Sequence, residues 1–163
     1  MKSKKILFLT QAALIAALYV VLTLLSNALG LASMQIQVRF SEALTILPYF
    51  TTAAIPGVFV GCLMSNLLAG CAILDILFGS LATLIGAVCT YLLRRFKWLA
   101  PVPPIVANTL VIPLVLKYTY GIEPIWLSAI TVCAGELISA SILGMFLLFT
   151  LQKYRKYIFM ITE

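Results

Sequence analysis

The sequence predicts an all-α integral membrane protein with six transmembrane helices and both termini cytoplasmic. Three observations lead there. Hydrophobic residues make up 63% of the 163-residue chain before glycine is counted, and charged residues only 10%. Soluble domains have about 45–50% apolar residues with glycine included and about 25% charged, so this chain could not cover a soluble surface. Its apolar residues run in blocks suited to a hydrocarbon core of about 30 Å. Nine of the eleven basic residues fall on one side when six spans are counted, as the positive-inside rule requires. No soluble domain of any size fits beside the spans, so one membrane domain over residues 1–163 is expected.

The first span is Ile6 to about Leu29, within a charge-free run over 6–38. Lysines followed by an apolar run are also a signal-peptide pattern, but a run of about 20 residues or more fits a spanning helix better. As one helix, residues 43–74 would measure about 48 Å at 1.5 Å per residue, too long for the bilayer. Pro48, Thr51, Thr52, Pro56 and Gly57 interrupt that segment. Two shorter helices meeting near Thr51–Ala53 are therefore expected. Residues 76–93 give the next span, ended by Arg94, Arg95 and Lys97. Residues 104–116, extended to about Tyr120, give the fifth, and 125–152 the sixth, with Gly121 and Pro124 before it and a basic tail after.

Charge decides the count. Six spans put Lys2, Lys4, Lys5, Arg94, Arg95, Lys97, Lys153, Arg155 and Lys156 inside, and Arg39 and Lys117 outside; five spans put seven basic residues outside. The outer face then carries Gly30–Ser41 and the turns near Gly70–Leu74 and Tyr120–Pro124. In the first of these, Met34, Ile36, Val38 and Phe40 alternate with Gln35, Gln37, Arg39 and Ser41. A period of two indicates an extended, half-buried segment. It is either a cap over a binding site or a plain connecting loop.

The net charge of +6 does not indicate nucleic acid, because the basic residues cluster at helix ends. The cysteines Cys62, Cys71, Cys89 and Cys133 are far apart in apolar segments, and there is no histidine. Metal and redox sites have little support; small buried apolar residues are the expected role. No cofactor is expected. The phosphate-binding Gly-x-x-x-x-Gly-Lys-Ser/Thr is absent, as are His-Glu-x-x-His and Gly-x-Ser-x-Gly. Five acids in all are thin material for catalysis. A binding protein or transporter subunit is expected, not an enzyme.

Glu136 is the only charge between Pro124 and Gln152. A carboxylate near the bilayer centre costs about 2.5–3.5 kcal/mol on insertion scales, so it needs a partner. It lies about 17 Å from Ile125, and Asn108 about 18 Å from Tyr120, at 1.5 Å per residue. The two share a depth on consecutive antiparallel helices. They either satisfy each other or form the floor of an outward-facing polar pocket. Other polar groups lie toward the outer half: Arg39 and Glu42 at the start of the second helix, Asn66 near the outer end of the third, and Asp75 opening the fourth. Asp75 is a ligand contact or a helix N-cap. Lys117, Tyr118, Tyr120 and Trp126 ring the last outer turn, as site residues or as an interfacial belt with a snorkelling lysine. On the first helix, Ala12/Ala16 and Ala13/Ala17 are small-xxx-small pairs that admit a close partner helix.

Three blocks are distinctive: Val38-Arg39-Phe40-Ser41-Glu42-Ala43-Leu44-Thr45-Ile46-Leu47-Pro48-Tyr49-Phe50, Ala54-Ile55-Pro56-Gly57-Val58-Phe59-Val60-Gly61-Cys62-Leu63 and Asp75-Ile76-Leu77-Phe78-Gly79-Ser80-Leu81-Ala82-Thr83. Together they resemble the queuosine-precursor transporter family, QueT, among the substrate-binding S components of energy-coupling factor (ECF) transporters. The resemblance covers nearly the whole chain. It implies one transmembrane substrate-binding domain in a prokaryotic plasma membrane, with a small-molecule site open to the outside. The implied ligand is queuine or a related 7-deazaguanine, and the implied partners are a transmembrane coupling protein and two cytoplasmic ATPases. It also implies a docking face on the first helix, where Ala12/Ala16 match an Ala-x-x-x-Ala motif and Ala13/Ala17 fit as well.

The residue chemistry suits such a ligand. A 7-deazaguanine presents adjacent N–H donors that a carboxylate accepts bidentately, and queuine adds a secondary amine. Glu136, Asp75 and Glu42 are the available acids; Asn66 and Asn108 suit the ring carbonyl, and Trp126 or a tyrosine suits stacking. An S component for another vitamin-like molecule is the alternative within the class. A small intramembrane enzyme using Glu136 and Asp75 is the alternative outside it.

Overall fold

The computed structural model describes residues 2–31 and 37–158, with side chains over 4–31 and 37–154. Helix α1 is Lys2–Ala28, followed by a 3₁₀ helix, Phe40–Tyr49, and then α2, Ala54–Leu68. Helix α3 is Ile73–Leu92; a short 3₁₀ turn, Lys97–Leu99, leads into α4, Val102–Tyr120. Helix α5, Ile125–Glu136, passes through a π turn, Leu137–Leu143, into α6, Gly144–Ile158. No strand occurs among the described residues.

Four stretches are long and apolar enough to cross a membrane: α1, α3, Lys97–Tyr120 and Ile125–Tyr154. The segment expected to split does so, with the break at Phe50–Ala53. Its halves are shorter than the other four. Helix α2 has 15 residues, about 22 Å at 1.5 Å per residue. The 10-residue 3₁₀ helix extends about 20 Å at a rise of about 2.0 Å. The second helix thus exists where expected, but it is not α. Pro48 lies inside it and has no N–H to donate. The Thr45 hydroxyl donates to the Glu42 carbonyl three residues back, at 2.6 Å.

That 3₁₀ helix is the centre of the molecule. It touches α1, α2, α3, the π turn and α6, while the long helices pack mainly on their sequence neighbours. Its Leu44, Ile46 and Leu47 join Ile15, Tyr19, Val58 and Leu148 in one buried apolar cluster. Large exposed apolar side chains cover the outside, among them Leu14, Val21, Leu77, Leu110, Ile130 and Phe146, as a lipid-facing surface requires.

Close helix contact is made by glycine. A Cβ at Gly61 of α2 would lie 2.6 Å from the Tyr19 Cβ and 3.1 Å from the Ala16 Cα; one at Gly57 would lie 2.9 Å from the Ala12 carbonyl oxygen. Helix α4 ends on Gly121 with φ 66°, the left-handed C-terminal cap that glycine adopts without strain.

Candidate ligand-binding site

The site is built by the chain segment that enters the 3₁₀ helix. Arg39 is extended (φ −113°, ψ 112°), and the next residues run down the side of α1. The Phe40 N–H donates to Ser26 Oγ at 2.9 Å. Thr23 Oγ1 donates to Ser41 Oγ at 2.8 Å. The Tyr19 hydroxyl donates to Glu42 Oε1. On the opposite side, the Arg39 N–H donates to Ser139 Oγ at 3.1 Å, in the π turn. Gln37 crosses α5 so tightly that a Cβ at Gly135 would run into its carbonyl. Single π turns inside α-helices often mark functional sites, and this one begins directly after Glu136.

Two compartments adjoin this segment. The inner one, about 30 Å³, is lined by Glu42, Glu136, Asn108, Arg39, Cys62 and Thr83 among others. Asn108 Nδ2 donates to Glu136 Oε1 at 2.7 Å. Glu136 Oε2 and Glu42 Oε2 are both buried with no hydrogen-bond partner. Unpaired buried polar atoms are costly, so they call for an explanation. The outer compartment, about 480 Å³, is lined by Asn27, Asn66, Asp75, Leu116 and Tyr120 among others, and shares Gln37, Arg39 and Ile112 with the inner one. That volume lies in the range of about 300–1,000 Å³ usual for small-ligand clefts. Among the described residues, Arg39 is the one cation on the walls of either compartment, which also carry Glu42, Asp75 and Glu136. The combined surface can accept several hydrogen bonds and oppose a positive charge. Among the described residues, no group of three His, Cys, Asp or Glu is placed to hold a metal.

Glu136, Asn108, Glu42, Arg39, Asn66, Asp75 and Tyr120 are all brought to these walls. Glu42 sits deeper than its place at the start of a helix suggests, because its segment descends beside α1. Asp75 does not cap α3: the cap position is Ala72, and no side chain caps it. Tyr120 lines the outer compartment, and its hydroxyl accepts the Ala72 N–H at 3.3 Å. Trp126 and Lys117 are not on the walls. Trp126 is 64% exposed at the N-terminal end of α5, where an interfacial belt residue belongs. Lys117 pairs instead with Glu123 at 2.9 Å. Ala12 and Ala16 pack against α2 at Gly57 and Gly61, whereas Ala13 and Ala17 are exposed. Of the alternating outer segment, Met34, Gln35 and Ile36 lie outside the described residues.

Sequence reasoning missed Tyr19, Thr23, Ser26, Ser139 and Gln37. The signal for the first three was present: positions 19, 23 and 26 follow i, i+4, i+7 and so form one polar stripe on an apolar helix. Cys62, expected as an inert apolar filler, lines the inner compartment and accepts from Thr83 Oγ1 at 3.4 Å.

A family model described as QueT transporter matches residues 9–153. The queuosine precursor transporter QueT of Lactococcus lactis subsp. cremoris (strain MG1363) is 35% identical over 98 residues. That match covers 60% of this chain and 57% of the relative's length. No solved structure matches the chain.

Proposed function

The chain belongs to the QueT transporter family, and from that premise we propose that it is the membrane-embedded substrate-binding component of an ECF-type importer for a queuosine precursor. Transport, not catalysis, is the family's activity. In this reading the ligand is queuine or a related 7-deazaguanine, taken from outside through the larger compartment.

One observation carries the ligand reading: two buried carboxylates, Glu42 and Glu136, each have one oxygen engaged and one unpartnered. The adjacent N–H donors of a 7-deazaguanine edge suit one of them. The ring carbonyl suits Arg39 or Asn66. The protonated secondary amine of queuine suits a wall with three acids and one guanidinium. A ligand lacking one of these donors leaves a buried acceptor unpaired, which gives strong discrimination. The inner compartment must widen to admit the base, and the Gln37–Arg39 segment between the compartments is the element to shift.

The related QueT of Lactococcus lactis is named for a queuosine precursor, which favours this ligand over other vitamin-like molecules. The partners in this reading are a transmembrane coupling protein and two cytoplasmic ATPases. The exposed Ala13/Ala17 face of α1 is the docking register, because Ala12/Ala16 are already covered by α2. Both termini are cytoplasmic, in a prokaryotic plasma membrane.

The experiment is a melting-temperature screen of the purified chain. A ligand that binds only the folded state stabilises it by mass action, by about 2.7 kcal/mol at a hundred times Kd. Queuine is expected to raise the melting temperature, and an analogue lacking the exocyclic amino group to raise it much less. No shift with queuine or any 7-deazaguanine, alongside a shift with an unrelated vitamin, would overturn the ligand assignment.

A further inference from the structure

We propose that Tyr19 is a positioning residue for ligand binding: its hydroxyl fixes which oxygen of Glu42 faces the cavity and holds Glu42 away from Arg39. Tyr19 is 1% exposed, and it lies behind Glu42, not on the cavity wall. Its hydroxyl donates to Glu42 Oε1, while Glu42 Oε2 has no partner. A membrane helix that needed only packing here could carry phenylalanine, since a buried hydroxyl without a partner is costly. The bond to Glu42 gives the buried hydroxyl its acceptor.

Arg39 supplies the second half of the argument. It is the extended residue just before the 3₁₀ helix, three positions ahead of Glu42, and the two line the same inner compartment. Opposite charges sharing one buried compartment would ordinarily form an ion pair. The structure does not have it: among the described residues the only ion pair is Lys117–Glu123. Tyr19 draws the Glu42 carboxylate toward α1 and leaves the guanidinium on the walls of both compartments. Without the hydroxyl, Glu42 turns to Arg39, and the site loses an acceptor and a cation together. The effect on affinity rests on the ligand reading above; the effect on Glu42 does not.

The test uses the full chain in lipid nanodiscs with glutamate carboxyl carbons labelled with carbon-13. Tyr19→Phe keeps the Cβ that lies against Gly61 and the buried ring, so the fold is retained. In the ligand-free protein this change is expected to move the Glu42 carboxyl resonance and leave that of Glu123 in place. The Kd for queuine is expected to rise about ten-fold. In a double-mutant cycle, Tyr19→Phe is expected to add nothing in a Glu42→Leu background. An unmoved Glu42 resonance overturns the proposal. So does a lowered melting temperature with unchanged Kd, which would make Tyr19 a packing residue only, and so do effects that multiply independently in the cycle. A wild-type chain that binds no queuine removes the ligand reading alone, since the resonance still decides for or against Tyr19.

Discussion

Glu136 and Glu42 illustrate how far single residues announce themselves. Glu136 was legible because it stands alone in an apolar run, and counting at 1.5 Å per residue paired it with Asn108; the 2.7 Å hydrogen bond confirms the pairing. That bond occupies only Oε1, so mutual satisfaction with Asn108 does not account for the whole carboxylate. Glu136→Gln retains size and a partner for Asn108 while removing charge. Charge-assisted hydrogen bonds are about twice as strong as neutral ones, so ligand affinity is expected to fall by about 1.5–3 kcal/mol, or roughly ten- to a hundred-fold. Asn108→Ala should cost less, because Asn108 reaches the ligand mainly through Glu136. Titration calorimetry on both variants decides; unchanged affinity in a well-folded Glu136→Gln protein takes Glu136 out of the site. Glu42 was legible as a candidate but not in depth, because nothing in local sequence says that residues 40–42 descend along α1. Trp126 and Lys117 were named as candidates but do not line either compartment. Their side-chain types suit a ligand, yet they sit where a bilayer interface also selects aromatic and basic residues.

At the scale of elements, span positions were readable from apolar run length, and the break before α2 from Pro48, Thr51 and Thr52. The 3₁₀ character of Phe40–Tyr49 was not, since propensity and hydropathy treat the two helix types alike. Nor were the glycine contacts, which depend on which helices meet. Gly135 is the sharpest case. A Cβ there would strike the Gln37 carbonyl, whereas one at Gly144 would have its nearest atom, the Ala43 carbonyl oxygen, at an ordinary 3.6 Å. Backbone cannot move aside as a flexible side chain can, so Gly135→Ala must displace the Gln37–Arg39 segment from α5. Forced overpacking typically costs about 1–3 kcal/mol. Gly135→Ala is expected to lower the melting temperature and weaken ligand binding, while Gly144→Ala changes neither by much. Equal behaviour of the two variants in thermal unfolding and binding would mean that the segment does not lie against α5 in the membrane.

For the whole molecule, the proposed orientation rests on the charge distribution and the proposed partner face on α1. In the proposed orientation the basic groups of the α3–α4 turn and of both ends lie inside, so cysteine at position 96 should resist a membrane-impermeant reagent in intact cells. Cysteines at positions 72 and 122, in the same cysteine-free background, should react; outside labelling at 96 would rule the topology out. Docking then depends on which side of α1 remains open once the chain has folded. In the sequence Ala12 and Ala16 were the first candidates and Ala13 and Ala17 the alternative register, because a spacing of four cannot say which stripe faces a neighbour. The packing favours the alternative: α2 approaches α1 along Ala12, Ile15, Ala16 and Tyr19, and Ala13 and Ala17 are left exposed. Leucines at 12 and 16 would therefore pry α1 from α2, and with it Tyr19 from Glu42, lowering melting temperature and ligand affinity together. Leucines at 13 and 17 add bulk only on the open face, where a partner helix must come close. That variant is expected to melt and bind ligand as the wild type does, yet to fail in uptake when co-expressed with its coupling protein and ATPases. Normal uptake by Ala13→Leu/Ala17→Leu would show that the energising module docks elsewhere than on α1.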